Sequence, residues 1–136
     1  KGHIIVGQDT DGMTHPGEVG LDWAMNRTKP DFVGRRSVDV LAASAPIRQL
    51  VGFSLDLTAP KPLEGHLVIK DGDIVGNVTS CEISPTLNQI IGLAYAHPDD
   101  AKPGDRIGIR TEGGVLVQAR VEALPFYDLD NERQAL

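Results

Sequence analysis

The residues of this chain that could ligate a metal or attack a substrate are few and scattered. His3, His15, His66 and His97 lie far apart, and no two sit at ligand spacing on one element, so no metal site is expected. Cys81 follows Val78-Thr79-Ser80 and precedes Glu82, not a basic group that would lower its pKa, so it reads as a packed or interfacial thiol. Ser80 and Ser84 have neither a nucleophile elbow nor a neighbouring base. Asp9-Thr10-Asp11-Gly12 starts like a calcium loop but lacks the later ligands and the bidentate Glu; it reads as a loop closed by side-chain-to-backbone hydrogen bonds. Gly113-Gly114 belongs to a hairpin and opens no phosphate-binding helix. No catalytic residue is assigned on these grounds.

One charge pattern stands apart. Arg27, Lys29, Arg35 and Arg36 place four cations within ten residues, opposed only by Asp31. Two readings stay open: a solvated face paired with acids elsewhere, or an edge that meets the carboxylates of a ligand or a partner. The chain as a whole is acidic, with 13 Lys and Arg against 19 Asp and Glu for a net charge of −6. That balance weighs against nucleic acid or an anionic membrane as a general partner.

Positioning these residues falls mainly to strands. From Arg48 onward the apolar period is two: Val51, Phe53 and Leu55 alternate with Leu50, Gly52 and Ser54. Segments 66–70 and 74–81 are joined by Lys70-Asp71-Gly72-Asp73, a tight-hairpin signal. Segment 89–96 follows a Ser84-Pro85-Thr86 turn, and 106–110 pairs with 115–124 around Gly113-Gly114. In the last of these Val115, Val117, Ala119, Val121 and Ala123 share one face. Five or six strands separated by Gly and Pro turns predict a closed or nearly closed antiparallel barrel. Residues 1–45 differ. Ile4-Ile5-Val6 reads as a strand, and Val19 to Met25 as a helical turn followed by strand. Gly34 to Ala45 reads as a helix with Val38, Leu41 and Ala42 on one side, stopped by Pro46.

The 136 residues, 40% of them hydrophobic, suffice for one domain of ordinary size and not for two independent ones. The single cysteine forms no internal disulfide, which points to a reducing, cytoplasmic setting. No apolar run approaches the roughly 18–20 residues of a membrane span, and no signal peptide is expected. Lys1 in place of Met, with the abrupt apolar start, leads to the expectation of a piece cut from a longer polypeptide.

Several motifs, in order, resemble one family. Lys29-Pro30-Asp31-Phe32-Val33-Gly34-Arg35 looks like the K-x-DF-[IV]-G-R segment of the glycine-cleavage T-protein family. Gly76-Asn77-Val78-Thr79-Ser80-Cys81 with Ser84-Pro85-Thr86-Leu87 resembles its G-x-VTS-G-x-x-SP-x-L signature, with Cys81 where Gly is usual. Ile91 to Tyr95, Pro103-Gly104-Asp105 and Pro125-Phe126-Tyr127-Asp128 match in order. The opening, from Lys1 to Gly12, is similar to the α subunits of heterotetrameric sarcosine oxidases.

The resemblance implies a mainly β fold. Residues 46–136 would form a Greek-key-like antiparallel β-barrel, and 1–45 the short α/β end of a folate-binding aminomethyltransferase domain. It implies a parent that passes a one-carbon unit from a glycine- or sarcosine-derived amine to tetrahydrofolate. FAD or NAD would sit in other domains or subunits. Partners would be the rest of the parent chain and flavoprotein subunits. The family's catalytic Asp lies upstream, and its pterin-binding Glu would fall just before Lys1, so the isolated chain is expected to be catalytically silent. Lys29 falls where the T-protein branch usually has Arg, and would hold a folate carboxylate or polarise the ring edge without the bidentate fork. Trp23 or Tyr127 would pack nearby. The alternative function is a non-catalytic module that docks a flavoprotein subunit or RNA; the acidic charge and few aromatics weigh against RNA.

Overall fold

Six strands close on themselves in the computed structural model, which describes residues 1–134. They are β1 (Gln49–Leu55), β2 (Leu67–Lys70), β3 (Asp73–Ser84), β4 (Gln89–Ala96), β5 (Arg106–Arg110) and β6 (Leu116–Glu122). The spatial order is β1-β4-β3-β2-β5-β6, and β6 returns to β1. Every pairing is antiparallel. Strands β2, β3 and β4 form a meander with β1 laid against β4, the Greek-key arrangement that the family resemblance implies. Closure leaves no free edge for further pairing.

Local chemistry explains the strands. The β2–β3 hairpin turns through Asp71 (φ 51°) and Gly72 (φ 94°), both left-handed, with Lys70 opposite Asp73. In β6 only Val117, Ala119 and Val121 point into the core; Val115 and Ala123 lie outside the strand and are exposed. The core is a continuous cluster around Phe53, Ile90, Ile109, Val68, Val78 and Val121. Strand β1 is buried on both faces. Its Val51, Phe53 and Leu55 enter the barrel, while Leu50 joins Leu93 and Tyr95 in a second cluster on the outside, packed against Ile4, Val19 and Phe126. Gly76 is required by a close approach, since a Cβ there would stand 2.0 Å from the Tyr95 carbonyl oxygen.

The first third of the chain builds no core. Two 3-10 turns (Pro16–Val19 and Asp22–Ala24) precede helix α1 (Arg35–Ala42). The helix fits the expectation from Val38, Leu41 and Ala42, but Leu41 and Ala42 stay exposed. Two strand expectations are corrected. Residues Ile4 to Val6 contribute a lone bridge between Val6 and Thr10, because the closed barrel offers them no edge. Residues Val19 to Met25 contain 3-10 turns and no strand, the chain reversing at Gly20 (φ 68°). Among the described residues, no hydrophobic side chain before Leu50 is fully buried.

Candidate functional site

The seam between residues 1–25 and the barrel carries the polar geometry of the molecule. Asp9, 1% exposed, accepts the Ile5 N–H at 2.8 Å and the Thr79 hydroxyl at 2.5 Å. The Tyr95 hydroxyl donates to the Asp9 carbonyl at 3.0 Å, and Gln8 Nε2 donates to the Thr79 carbonyl at 3.1 Å. Thus the expected side-chain-to-backbone loop is present, and it is also fastened to β3 and β4. A second tie comes from Lys1, whose ammonium reaches the Asp128 carbonyl (2.7 Å), the Asp128 carboxylate (2.8 Å) and Asn131 Oδ1 (2.7 Å). That ammonium holds the Asp128 carboxyl below the usual carboxylate range. A third is Arg48, which pairs with Glu18 at 3.3 Å and lies over the Tyr95 ring, 4.2 Å from its centroid. Glu18 in turn accepts the His15 N–H, closing a capping box on the first 3-10 turn.

Two grooves open along this seam. One, about 760 Å³, runs between Ile4, Val19, Leu21 and Trp23 on one wall and Leu50, Leu124, Pro125 and Leu129 on the other. The second, about 650 Å³, lies between the 3-10 turns and the end of α1, lined by Met13, Leu41, Pro46 and Ile47 with His15, Glu18, Asp22, Arg27 and Arg48. Of the candidate residues, Trp23 stands in the wall of the first groove with its indole 81% exposed. Lys29 and Tyr127 line neither groove. Tyr127 instead lies under Arg133, 5.8 Å from the guanidinium. The structure therefore does not draw the three into one constellation.

The basic stretch divides between both readings left open above. Arg27 pairs with Asp22 at 3.0 Å. Arg35 donates to the carbonyls of Lys29 and Pro30 and stands 3.6 Å from Asp39, so it is spent on folding the loop. Lys29 is exposed, its backbone held by Asn26 Oδ1, and neither it nor Arg36 forms an ion pair among the described residues.

Cys81 is half-buried on β3, and burial pushes its thiol up to about 11, with Lys61 opposing only in part. At pH 8 the thiol therefore carries far less thiolate than an exposed cysteine does. Because the more basic thiolate is also the stronger nucleophile, alkylation of Cys81 by iodoacetamide is expected to run about tenfold slower than that of a free thiol, followed by mass spectrometry. A rate equal to the free thiol would contradict the burial. Asp9 and Tyr95 are the seam residues that sequence reasoning missed. Their partners lie 70 and 86 positions away, so no local spacing announces them.

The fold and this seam define a closed six-stranded barrel with a non-barrel N-terminal segment fastened to it. The glycine cleavage T-protein C-terminal barrel domain model matches residues 48–128. An aminomethyltransferase of Halothermothrix orenii is 37% identical over 126 residues, covering 93% of this chain and 35% of the relative. One from Thermotoga maritima is 40% identical over 126 residues, covering 92% and 33%. The solved glycine cleavage system aminomethyltransferase T of Bartonella henselae superposes with a TM-score of 0.79 over 89% of this chain and 34% of its own, at 23% identity. The chain belongs to the glycine cleavage T-protein C-terminal barrel family. It spans about a third of the length of these relatives. No helix among the described residues is long and apolar enough to cross a membrane.

Proposed function

We propose that this chain is the closing barrel and pocket rim of a folate-dependent aminomethyl-transfer enzyme of the sarcosine oxidase α-subunit type. The observation that carries the reading is the surface of residues 1–47. Val6, Met13, Trp23, Val33 and Ile47 are each at least 80% exposed, whereas among the described residues from Arg48 onward no large apolar side chain exceeds 66%. A face of that kind is the half of an interface. Its natural cover is the remaining two-thirds of the relatives' length, which these residues do not match. Residues 1–45 then belong to the folate-binding domain and 46–136 to the barrel.

The residues on that edge suit a planar molecule bearing carboxylates. Trp23 offers an exposed indole face for stacking, and Lys29 an ammonium without an ion-pair partner among the described residues. When bound, tetrahydrofolate supplies the nitrogen nucleophiles that accept the one-carbon unit. In this reading Lys29 holds a carboxylate of the folate tail, and Trp23 with the groove walls excludes water from one side. Tyr127 is a weaker contact, because its ring is already occupied by Arg133. The amine donor is oxidised elsewhere, in flavoprotein subunits, and FAD or NAD sits outside this chain. The single free thiol suits a reducing, cytoplasmic setting.

Lys29→Ala in the full-length parent is expected to weaken tetrahydrofolate binding about tenfold, the loss of one charge-assisted hydrogen bond, while Lys29→Arg keeps it. Isothermal titration checks this; an unchanged Kd for Lys29→Ala would remove Lys29 from the site.

A further inference from the structure

Asp9 is the one carboxylate among the described residues that is fully buried, and no cation pairs with it. Burying an uncompensated acid is costly, so its place calls for a reason. All its contacts cross the seam or prepare it. The carboxylate takes the Ile5 N–H on one oxygen and the Thr79 hydroxyl on the other, and its carbonyl takes the Tyr95 hydroxyl. The residues so fixed are those that build one wall of the 760 Å³ groove: Ile4, Val6 and Thr10 belong to it directly, and Val19 packs on the cluster of Leu50, Leu93 and Tyr95. The opposite wall belongs to the barrel. A groove formed where two pieces meet has the width that their fastenings impose.

We infer that Asp9 is a positioning residue that sets the separation of the Trp23 wall from the barrel, acting through Thr79 and Tyr95 and not by touching ligand. The inference rests on the folate reading for its consequence in catalysis, and on the seam geometry alone for its structural part. The role is geometric. An Asn at position 9 reproduces it: its Oδ1 accepts the Ile5 N–H, and its Nδ2 donates to Thr79 Oγ1, which turns its own proton to the Leu93 carbonyl 3.2 Å away. An Ala removes both contacts, leaving the Ile5 N–H without a partner and the Thr79 hydroxyl with the Leu93 carbonyl alone.

Two measurements test this. In steady-state one-carbon transfer by the full-length parent, Asp9→Ala is expected to raise KM for tetrahydrofolate about tenfold with kcat within about twofold, and Asp9→Asn to bring KM back to within about twofold. A fall in kcat with KM unmoved would reveal mere loss of folded enzyme and overturn the inference. So would Asp9→Asn behaving like Asp9→Ala. Should Asp9→Ala not fold, Tyr95→Phe, which removes one hydroxyl, is expected to raise KM about threefold; no rise overturns the inference. Amide hydrogen exchange on the 136-residue chain separates this from the folate reading. Faster exchange over residues 4–23 in Tyr95→Phe, with barrel amides unchanged, supports the positioning role even if the parent proves not to use folate. Unchanged exchange there overturns it even if the parent does.

Discussion

Gly76→Ala is expected to destabilise the barrel by about 3 kcal/mol or more and to lower its melting temperature by roughly 10 °C or more. The added methyl would lie 2.0 Å from the Tyr95 carbonyl oxygen and 2.6 Å from its carbon. Both are backbone atoms of β4, so no side-chain rotation relieves the clash, and β3 must move off its neighbour. β3 already carries a register shift between Val78 and Ser80, and this displacement would reach the Thr79 and Tyr95 hydroxyls that fasten Asp9. Thermal unfolding followed by circular dichroism reads the effect. A melting temperature equal to that of the unsubstituted chain would mean that β3 and β4 do not approach as described.

Phe53→Ala is the second large expectation, a loss of about 3–5 kcal/mol. The ring is wholly buried at the centre of the core cluster. It fills the space beside Gly92, where a Cβ would meet its Cζ at 2.5 Å. The cavity cannot be refilled by Gly92→Ala, because that methyl would also meet the Ser80 carbonyl at 2.4 Å. The double variant is therefore expected to be no more stable than Phe53→Ala. Urea denaturation checks both, and a loss below about 1 kcal/mol for Phe53→Ala would show that the core collapses around the gap.

What the sequence disclosed, and what it withheld, divides by the range of the interaction. The β2–β3 hairpin was readable because Asp71 and Gly72 carry its left-handed turn within two residues. The inward face of β6 was readable because Val117, Ala119 and Val121 alternate with polar neighbours. By the same logic Ile4-Ile5-Val6 read as a strand, but pairing needs a partner edge, and a closed barrel has none. The outer face of β1 gave no warning of burial, since Gly52 and Ser54 are small and the residues that cover this side, Phe126 and Leu124, follow some 70 positions later. At the seam, Asp9 read as an ordinary loop acid. Its burial depends on Thr79 and Tyr95 arriving from the far side of the sequence. Lys29 and Trp23 were legible as residue types, yet the structure keeps them in separate surroundings.

Under the proposed function, this chain is a part whose chemistry belongs to a larger protein. The direct test is formation of 5,10-methylenetetrahydrofolate from tetrahydrofolate and an oxidised amine donor, measured side by side for the full-length parent and for the 136-residue chain. Product from the parent and none from the isolated chain is the expected result. Turnover by the isolated chain, or a parent that makes no folate product with any amine, would contradict it.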